Sequence, residues 1–189
     1  MKLIMTLILS LFSLSTYSQQ VEIYPVKINC DKNESGIYLD YCLYDLVHYT
    51  LLVGFNTNNL KALIKSKKSE NVEFVYDQTN SDAMTIKPAF FESSDKKIVV
   101  IMLELAAEYS WGQKIVLIMN DQVSDCGFLD YMTNENNGES IAKYAIIKIV
   151  NNQIVLTFQP QEFVDKDEII VNSSNLKYLL SKEGIKLIK

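Results

Sequence analysis

The chain has 189 residues, a formal charge of −5 and a hydrophobic fraction of 48%, values typical of an ordinary globular protein. Its 18 basic residues are all lysine. Because proteins that read nucleic-acid sequence depend on arginine and on a positive face, we expect no nucleic-acid partner.

Residues 1–18 have the pattern of a cleavable signal peptide. A single lysine precedes an apolar stretch over residues 3–14, and Thr16 and Ser18 supply the small residues that a signal peptidase requires. The stretch is too short to span a bilayer, so its alternative is a buried N-terminal strand or helix. We expect an exported protein, periplasmic or extracellular, that folds as one domain over residues 19–189 and keeps no transmembrane segment.

Residues 21–29 alternate between apolar and polar side chains, which predicts a strand, and Pro25 favours an edge position in the sheet. Residues 37–55 carry apolar side chains at most odd positions, with a break near Asp45. This period of two favours two strands, although apolar residues at even positions leave a helix as the alternative.

Three cysteines, Cys30, Cys42 and Cys126, allow at most one disulfide. If the segments around Cys30 and Cys42 form a hairpin centred on residues 33–34, these two sulfur atoms lie too far apart to bond. A bond from either one to Cys126 is a second option, and three buried thiols without a disulfide are a third.

Two segments predict short amphipathic helices. The first covers residues 59–68, and the second covers residues 174–183 and ends at Gly184; each follows a run of Asn, Ser or Thr that could cap it. The two stretches resemble each other, which indicates either a duplicated strand–helix–strand unit or a chance likeness of two capped helices.

Two hairpins are predicted from their turns. In the first, residues 93–96 connect two strands and Glu92 lies opposite Lys97. In the second, the pair Asn151-Asn152 supplies a primed two-residue turn between residues 144–150 and 153–158.

Further strands are predicted at 72–76, 114–119, 168–171 and 185–188. In all, about nine or ten strands with two short amphipathic helices predict an α+β fold that is predominantly antiparallel β-sheet.

His48 is the only histidine, so a nucleophilic pair would require Cys126 to reach it through the fold. Cys42 is excluded because six residues separate it from His48, which puts the two side chains far apart on either a helix or a strand. The lack of a histidine cluster argues against a catalytic zinc site, and no sequence motif for a cofactor is present.

The acidic segment 121–130 lacks the glycine and the glutamate of an EF-hand loop, which leaves Asp121 and Asp125 as candidates for another kind of calcium site. A solvated loop is the simpler interpretation. The carboxylates of Glu104 and Glu108, and those of residues 165–168, are likewise expected on the surface rather than in a glycosidase site.

Four tyrosines, Tyr38, Tyr41, Tyr44 and Tyr49, lie close together in the sequence. If exposed, they would form a ligand-binding or partner-binding surface. If half-buried, they would pack on the faces of a sheet.

The sequence therefore favours a non-enzymatic binding module whose partner is a protein, a glycan or a small apolar ligand. One alternative is a secreted hydrolase that uses dispersed carboxylates or a Cys126/His48 pair. A second alternative is a carrier of a small apolar ligand, which requires a closed sheet around a cavity.

Overall fold

The computed structural model describes residues 21–32, 41–56, 59–78, 85–107, 110–134 and 139–188. Within these ranges the backbone is nearly all β, with two 3₁₀ turns at Ile141–Tyr144 and Ser173–Asn175. The strands are β1 (Val21–Val26), β2 (Asp31–Lys32), β3 (Tyr41–Asp45), β4 (Tyr49–Asn56), β5 (Asn59–Ser66), β6 (Val72–Gln78), β7 (Thr85–Ser93), β8 (Ile98–Ala106), β9 (Ser110–Met119), β10 (Gln122–Leu129), β11 (Tyr131–Thr133), β12 (Ala145–Val150), β13 (Gln153–Phe158), β14 (Glu162–Asp165), β15 (Ile170–Asn172), β16 (Lys177–Ser181) and β17 (Gly184–Leu187).

The α+β prediction is wrong, because both predicted helices are β-structure. Residues 59–66 form β5, which buries Leu60, Ala62 and Ile64 on one face. These three buried residues are two positions apart, which is the spacing of one face of a strand. The helix prediction instead relied on apolar residues of the same segment at helical spacing. In the second segment a 3₁₀ turn gives way to β16, and Gly184 begins β17 instead of ending a helix. With no helix in either segment, the duplicated strand–helix–strand unit is excluded as well.

Nine strands form the main antiparallel sheet, in the order β10-β9-β8-β7-β1-β12-β13-β16-β17. The sheet curls into a barrel-like shape, so that its two edge strands, β10 and β17, come into contact with each other. Gly127 of β10 lies at this seam, where an added Cβ would be 3.2 Å from the Cγ2 of Ile185 in β17.

The curled sheet is packed on both faces along β8, where every residue after Ile98 is buried. Val100 and Met102 point to an inner core that also contains Ile147 and Leu156. The residues between them point outward, which explains why β8 is a continuous apolar run rather than an alternating one.

A five-stranded antiparallel sheet, in the order β2-β3-β4-β5-β6, packs on the outer face of the main sheet. The outer core between the two sheets contains Leu51 and Ile64 from the smaller sheet and Ile101 and Leu103 from β8. Residues 37–55 were predicted as two strands with a break near Asp45, and β3 and β4 confirm this within the described residues.

A third sheet has three strands in the order β11-β14-β15. It contributes Phe163, which is fully buried in the inner core and whose ring centroid lies 5.1 Å from that of Phe158. The chain therefore builds two apolar cores, one inside the curled sheet and one between stacked sheets.

The hairpin of β12 and β13 is confirmed. Ile147 lies opposite Leu156, and Asn151 and Asn152 take φ values of 51° and 61°, as a primed turn requires. The hairpin of β7 and β8 forms with a different register: Glu92 lies opposite Val99 rather than Lys97. The turn is longer than predicted because the Ser93 hydroxyl accepts a hydrogen bond from the Ile98 amide.

The prediction that Cys30 and Cys42 lie too far apart is wrong, because these two residues form a disulfide with Cα atoms 5.1 Å apart. The hairpin register differs from the one assumed, since Lys32 pairs with Cys42 and Asp31 with Leu43. This register places more residues between the paired positions than the assumed one and brings Cys30 next to Cys42. None of the helical segments among the described residues has the length and hydrophobicity needed to cross a membrane.

Candidate functional site

The main sheet opens where β1 meets β12. β1 lies between β7 and β12 rather than at an edge, so the edge position predicted from Pro25 is wrong. Its pairing with β12 ends at Ile23, two residues before Pro25, while its pairing with β7 continues to Val26. Proline has no amide hydrogen to donate to a neighbouring strand. The wall of the curled sheet therefore separates here, between β1 and the start of β12.

A cavity of about 930 Å³ lies at this separation. We call it the cleft and define it by Ala89, Glu104, Ser140, Ala142 and Ala145, which line it from β7, β8, the first 3₁₀ turn and β12. Most of the lining is apolar, including several side chains that also contact the inner core. The cleft therefore combines apolar walls with a small number of polar groups, which is the usual composition of a small-molecule site.

Glu104 is the deepest charged group in the cleft. Its side chain projects from β8 on the same face as Met102 and Val100, and the residue is only 3% exposed. Its Oε1 has no hydrogen-bond partner among the described residues. A buried carboxylate oxygen without a partner is costly, so its presence at a cavity wall calls for an explanation.

Gln113, the cross-strand neighbour of Glu104, also has a buried oxygen atom without a hydrogen-bond partner among the described residues. Gln113, on β9, lies directly opposite Glu104, and its Nε2 donates to the Ser140 hydroxyl at 3.1 Å. Its Oε1 is buried without a hydrogen-bond partner among the described residues. Of these groups, Glu104 and Ser140 line the cleft, and the Oε1 of Glu104 is a buried oxygen atom there with unused hydrogen-bonding capacity.

Burial raises the pKa of Glu104 above its ordinary value. The hydroxyl of Ser110, the positive charge of Lys87 and the hydroxyl of Ser140 all act in the opposite direction but do not outweigh desolvation. A carboxyl with a raised pKa in a cavity is the kind of group that binding sites and active sites use.

Lys87 is the cross-strand neighbour of Glu104 and lines the same cleft with an exposed side chain. Among the described residues neither Lys87 nor Glu104 forms an ion pair. In contrast, Glu22 at the cleft is paired with Lys148 at 3.2 Å. Of the charged residues that line the cleft, Glu104, Lys27 and Lys87 form no ion pair with a described residue, and Lys87 is the one directly opposite Glu104.

The structure does not bring His48 and Cys126 together. His48 is exposed beside the turn that contains Asp121, in a smaller cavity that Cys126 does not line. Cys126 is buried in the inner core, where its thiol donates to the carbonyl oxygen of Ser181. Burial and the nearby charge of Asp125 raise the pKa of the Cys126 thiol to about 11, so it is a poor nucleophile at neutral pH.

The segment predicted as a solvated acidic loop is mainly strand β10. Asp125 accepts a hydrogen bond from the Gly127 amide and forms an ion pair with Lys114 at 2.7 Å. Asp121 lies in the β9–β10 turn with a φ of 57°. Within the described ranges no group of three or more potential ligands is placed to hold a metal ion.

The tyrosines do not form an exposed surface where the structure describes them. Tyr49 is 5% exposed in the outer core, and Tyr44 is half-buried with its ring centroid 5.3 Å from that of Phe90. Tyr41 lies on β3, and only its backbone is described; Tyr38 and Glu108 lie outside the described residues. Tyr44 and Tyr49 therefore pack between the two sheets.

Comparisons with models of protein families, with curated proteins and with solved structures find no match to this chain. The site must therefore be interpreted from its own residues.

The sequence named Glu104 only as an expected surface carboxylate, and burial makes that expectation wrong. One signal was present: Glu104 is the only charged residue in the nine-residue apolar run of β8. A lone charge in a fully buried strand is unusual enough to indicate a functional position.

Proposed function

We propose that this protein is an exported, non-enzymatic binding module that takes a small ligand into the cleft. The observation that carries the proposal is the position of Glu104, a buried carboxylate with an unpartnered oxygen at the base of a cavity with apolar walls. Binding sites for small molecules combine these features, with apolar walls for affinity and a few polar groups for orientation.

The arrangement favours binding over catalysis. A hydrolytic pair needs a second titratable group within hydrogen-bond reach of the first, and the nucleophile candidate Cys126 lies in the inner core without access to His48. Glu104 faces apolar walls and the rim residue Lys87 instead.

Export is part of the same proposal. The signal-peptide pattern lies outside the described residues, and the Cys30–Cys42 disulfide supports export because such bonds persist mainly in oxidising compartments. The ligand would then be a molecule met outside the cytoplasm.

The proposal is tested with 8-anilino-1-naphthalenesulfonate, a dye whose fluorescence rises in an apolar site. We expect the wild-type protein to bind it with a stoichiometry of one. The Ala89→Trp variant should lose this binding, because Ala89 lies in the wall of the cleft and a larger side chain would fill it.

Val75→Trp is the matched control, since Val75 is 55% exposed on β6, outside the cleft. Ala145→Phe, on the opposite wall, is a second blocking variant in case Ala89→Trp does not fold, and circular dichroism checks both. Equal dye binding by the wild-type protein and by a folded blocking variant would contradict the proposal.

A further inference from the structure

The charges that face the cleft define the chemistry of its ligand. Glu22 is paired with Lys148, and Lys143 is paired with Glu139 at 2.5 Å. Glu104, Lys87 and Lys27 line the cleft without an ion-pair partner among the described residues, and of the two lysines Lys87 is the cross-strand neighbour of Glu104.

Glu104 and Lys87 are also close to each other. They are directly opposite on the antiparallel strands β8 and β7, and such neighbours project from the same face with Cβ atoms about 5 Å apart. Glu104 is buried at the base and Lys87 is exposed at the rim, so they present a carboxylate and an ammonium group at two depths of one cavity.

A complementary ligand carries the reverse pair of charges. An ammonium group has three donors, and one of them suits the unpartnered Oε1 of Glu104. A carboxylate beside that ammonium group would lie towards the Nζ of Lys87. The apolar walls formed by Ala142 and Ala145 would contact an apolar side chain of the ligand.

We infer that the cleft binds a small zwitterion that joins an ammonium group and a carboxylate to an apolar side chain, the chemistry of a free apolar α-amino acid. The inference rests on the proposed function and names its ligand class. Glu104 binds the ammonium group, Lys87 binds the carboxylate, and the apolar walls bind the side chain.

Isothermal titration calorimetry tests the inference with three compounds that differ by one group each. Phenylalanine carries both charges, 2-phenylethylamine lacks the carboxylate, and 3-phenylpropanoate lacks the ammonium group. We expect the full-length mature protein to bind phenylalanine at least tenfold more tightly than either analogue.

Two variants test the contact of Glu104 with the ammonium group and the contact of Lys87 with the carboxylate separately. Glu104→Gln should weaken phenylalanine at least tenfold and leave 3-phenylpropanoate unchanged, because only the ammonium contact is lost. Lys87→Gln should weaken phenylalanine and 3-phenylpropanoate and leave 2-phenylethylamine unchanged. Lys177→Gln is the control, since Lys177 is an exposed lysine on β16 outside the cleft.

The outcomes separate the inference from the proposed function. If both analogues bind as tightly as phenylalanine, or none of the three compounds binds while the dye still occupies the cleft, the zwitterion inference is overturned and the binding function stands. If neither the dye nor any of the three compounds binds the cleft, the zwitterion inference and the proposed binding function are both wrong.

Discussion

At the scale of single residues, Glu104 reduces the stability of the fold. The surrounding β8 positions Met102 and Leu103 are fully buried apolar side chains, which stabilise the sheet by removing apolar surface from water. Glu104 occupies an equally buried position with a group that water solvates far better. Retaining such a residue is expected where function, and not stability, decides the side chain.

The pKa of Glu104 gives a prediction with a definite sign. Because the folded-state pKa is raised, folding favours the protonated carboxyl. The resulting penalty is absent at pH values below the ordinary pKa and grows as the pH rises towards the folded-state pKa. Glu104→Gln, which cannot ionise, should therefore be more stable than the wild-type protein at pH 7 and equal to it near pH 3.

Urea unfolding of the two proteins at a series of pH values measures this difference. Glu73→Gln is the matched control, since Glu73 is exposed on β6 and its removal should leave the same difference near zero. A Glu104→Gln protein less stable than the wild type at pH 7 would contradict this prediction and would mean that the carboxylate stabilises the fold through a structural partner.

At the scale of secondary-structure elements, local turn chemistry was the most informative signal. Asn151 and Asn152 both have positive φ, and their turn fixes the register that sends Ile147 and Leu156 into the inner core. The register was predictable because a primed two-residue turn allows only one pairing of its strands. In the β7–β8 turn a side-chain contact of Ser93 lengthened the loop, and the pattern of apolar residues did not encode it.

The Asn151-Asn152 turn can be tested by substitution. Asn152→Val should lower the free energy of unfolding by about 1–2 kcal/mol, because a β-branched residue is strained at a φ of 61°. Asn152→Gly should stay within about 0.5 kcal/mol of the wild type, since glycine adopts this conformation without strain.

Gln153→Val controls for the introduced side chain, since Gln153 is the exposed first residue of β13 and extended backbone accepts valine. Thermal unfolding followed by circular dichroism gives the comparison. If Asn152→Val and Gln153→Val lower the free energy of unfolding equally, backbone strain at the turn is not the cause of the loss of stability.

At the scale of the whole molecule, the disulfide fixes the path of the chain between the two large sheets. Cys30 lies in the connection from β1, in the curled sheet, to β2, in the smaller sheet, and bonds to Cys42 of β3. The two cysteines are 12 positions apart in the sequence. Closing a loop of this size lowers the entropy of the unfolded chain, which stabilises the fold by about 3 kcal/mol.

We therefore expect the double variant Cys30→Ser/Cys42→Ser to lose about 3 kcal/mol in the free energy of unfolding, measured with urea. Dithiothreitol should produce the same loss in the wild-type protein and no change in the double variant. An unfolding midpoint of the wild type that is the same with and without reductant would contradict this prediction.

The sequence by itself determined the β-strands with clear alternation and the β12–β13 register. It could not determine β5 and β16, because their apolar residues satisfy a period of two and a helical period almost equally, and pairing with neighbouring strands decided between them. The Cys30–Cys42 bond depended on a hairpin register that only the folded sheet defines.

The existence of the cleft depends on the tertiary structure and could not be predicted from the sequence. It exists because β1 separates from β12 beside Pro25 while remaining paired with β7, and because β8 carries Glu104 into the space thus left. Burial is a property of the strands that surround a residue, and those strands are far apart in sequence. The sequence therefore determined most of the strands, whereas the curling of the sheet placed Glu104 and Lys87 in one cavity.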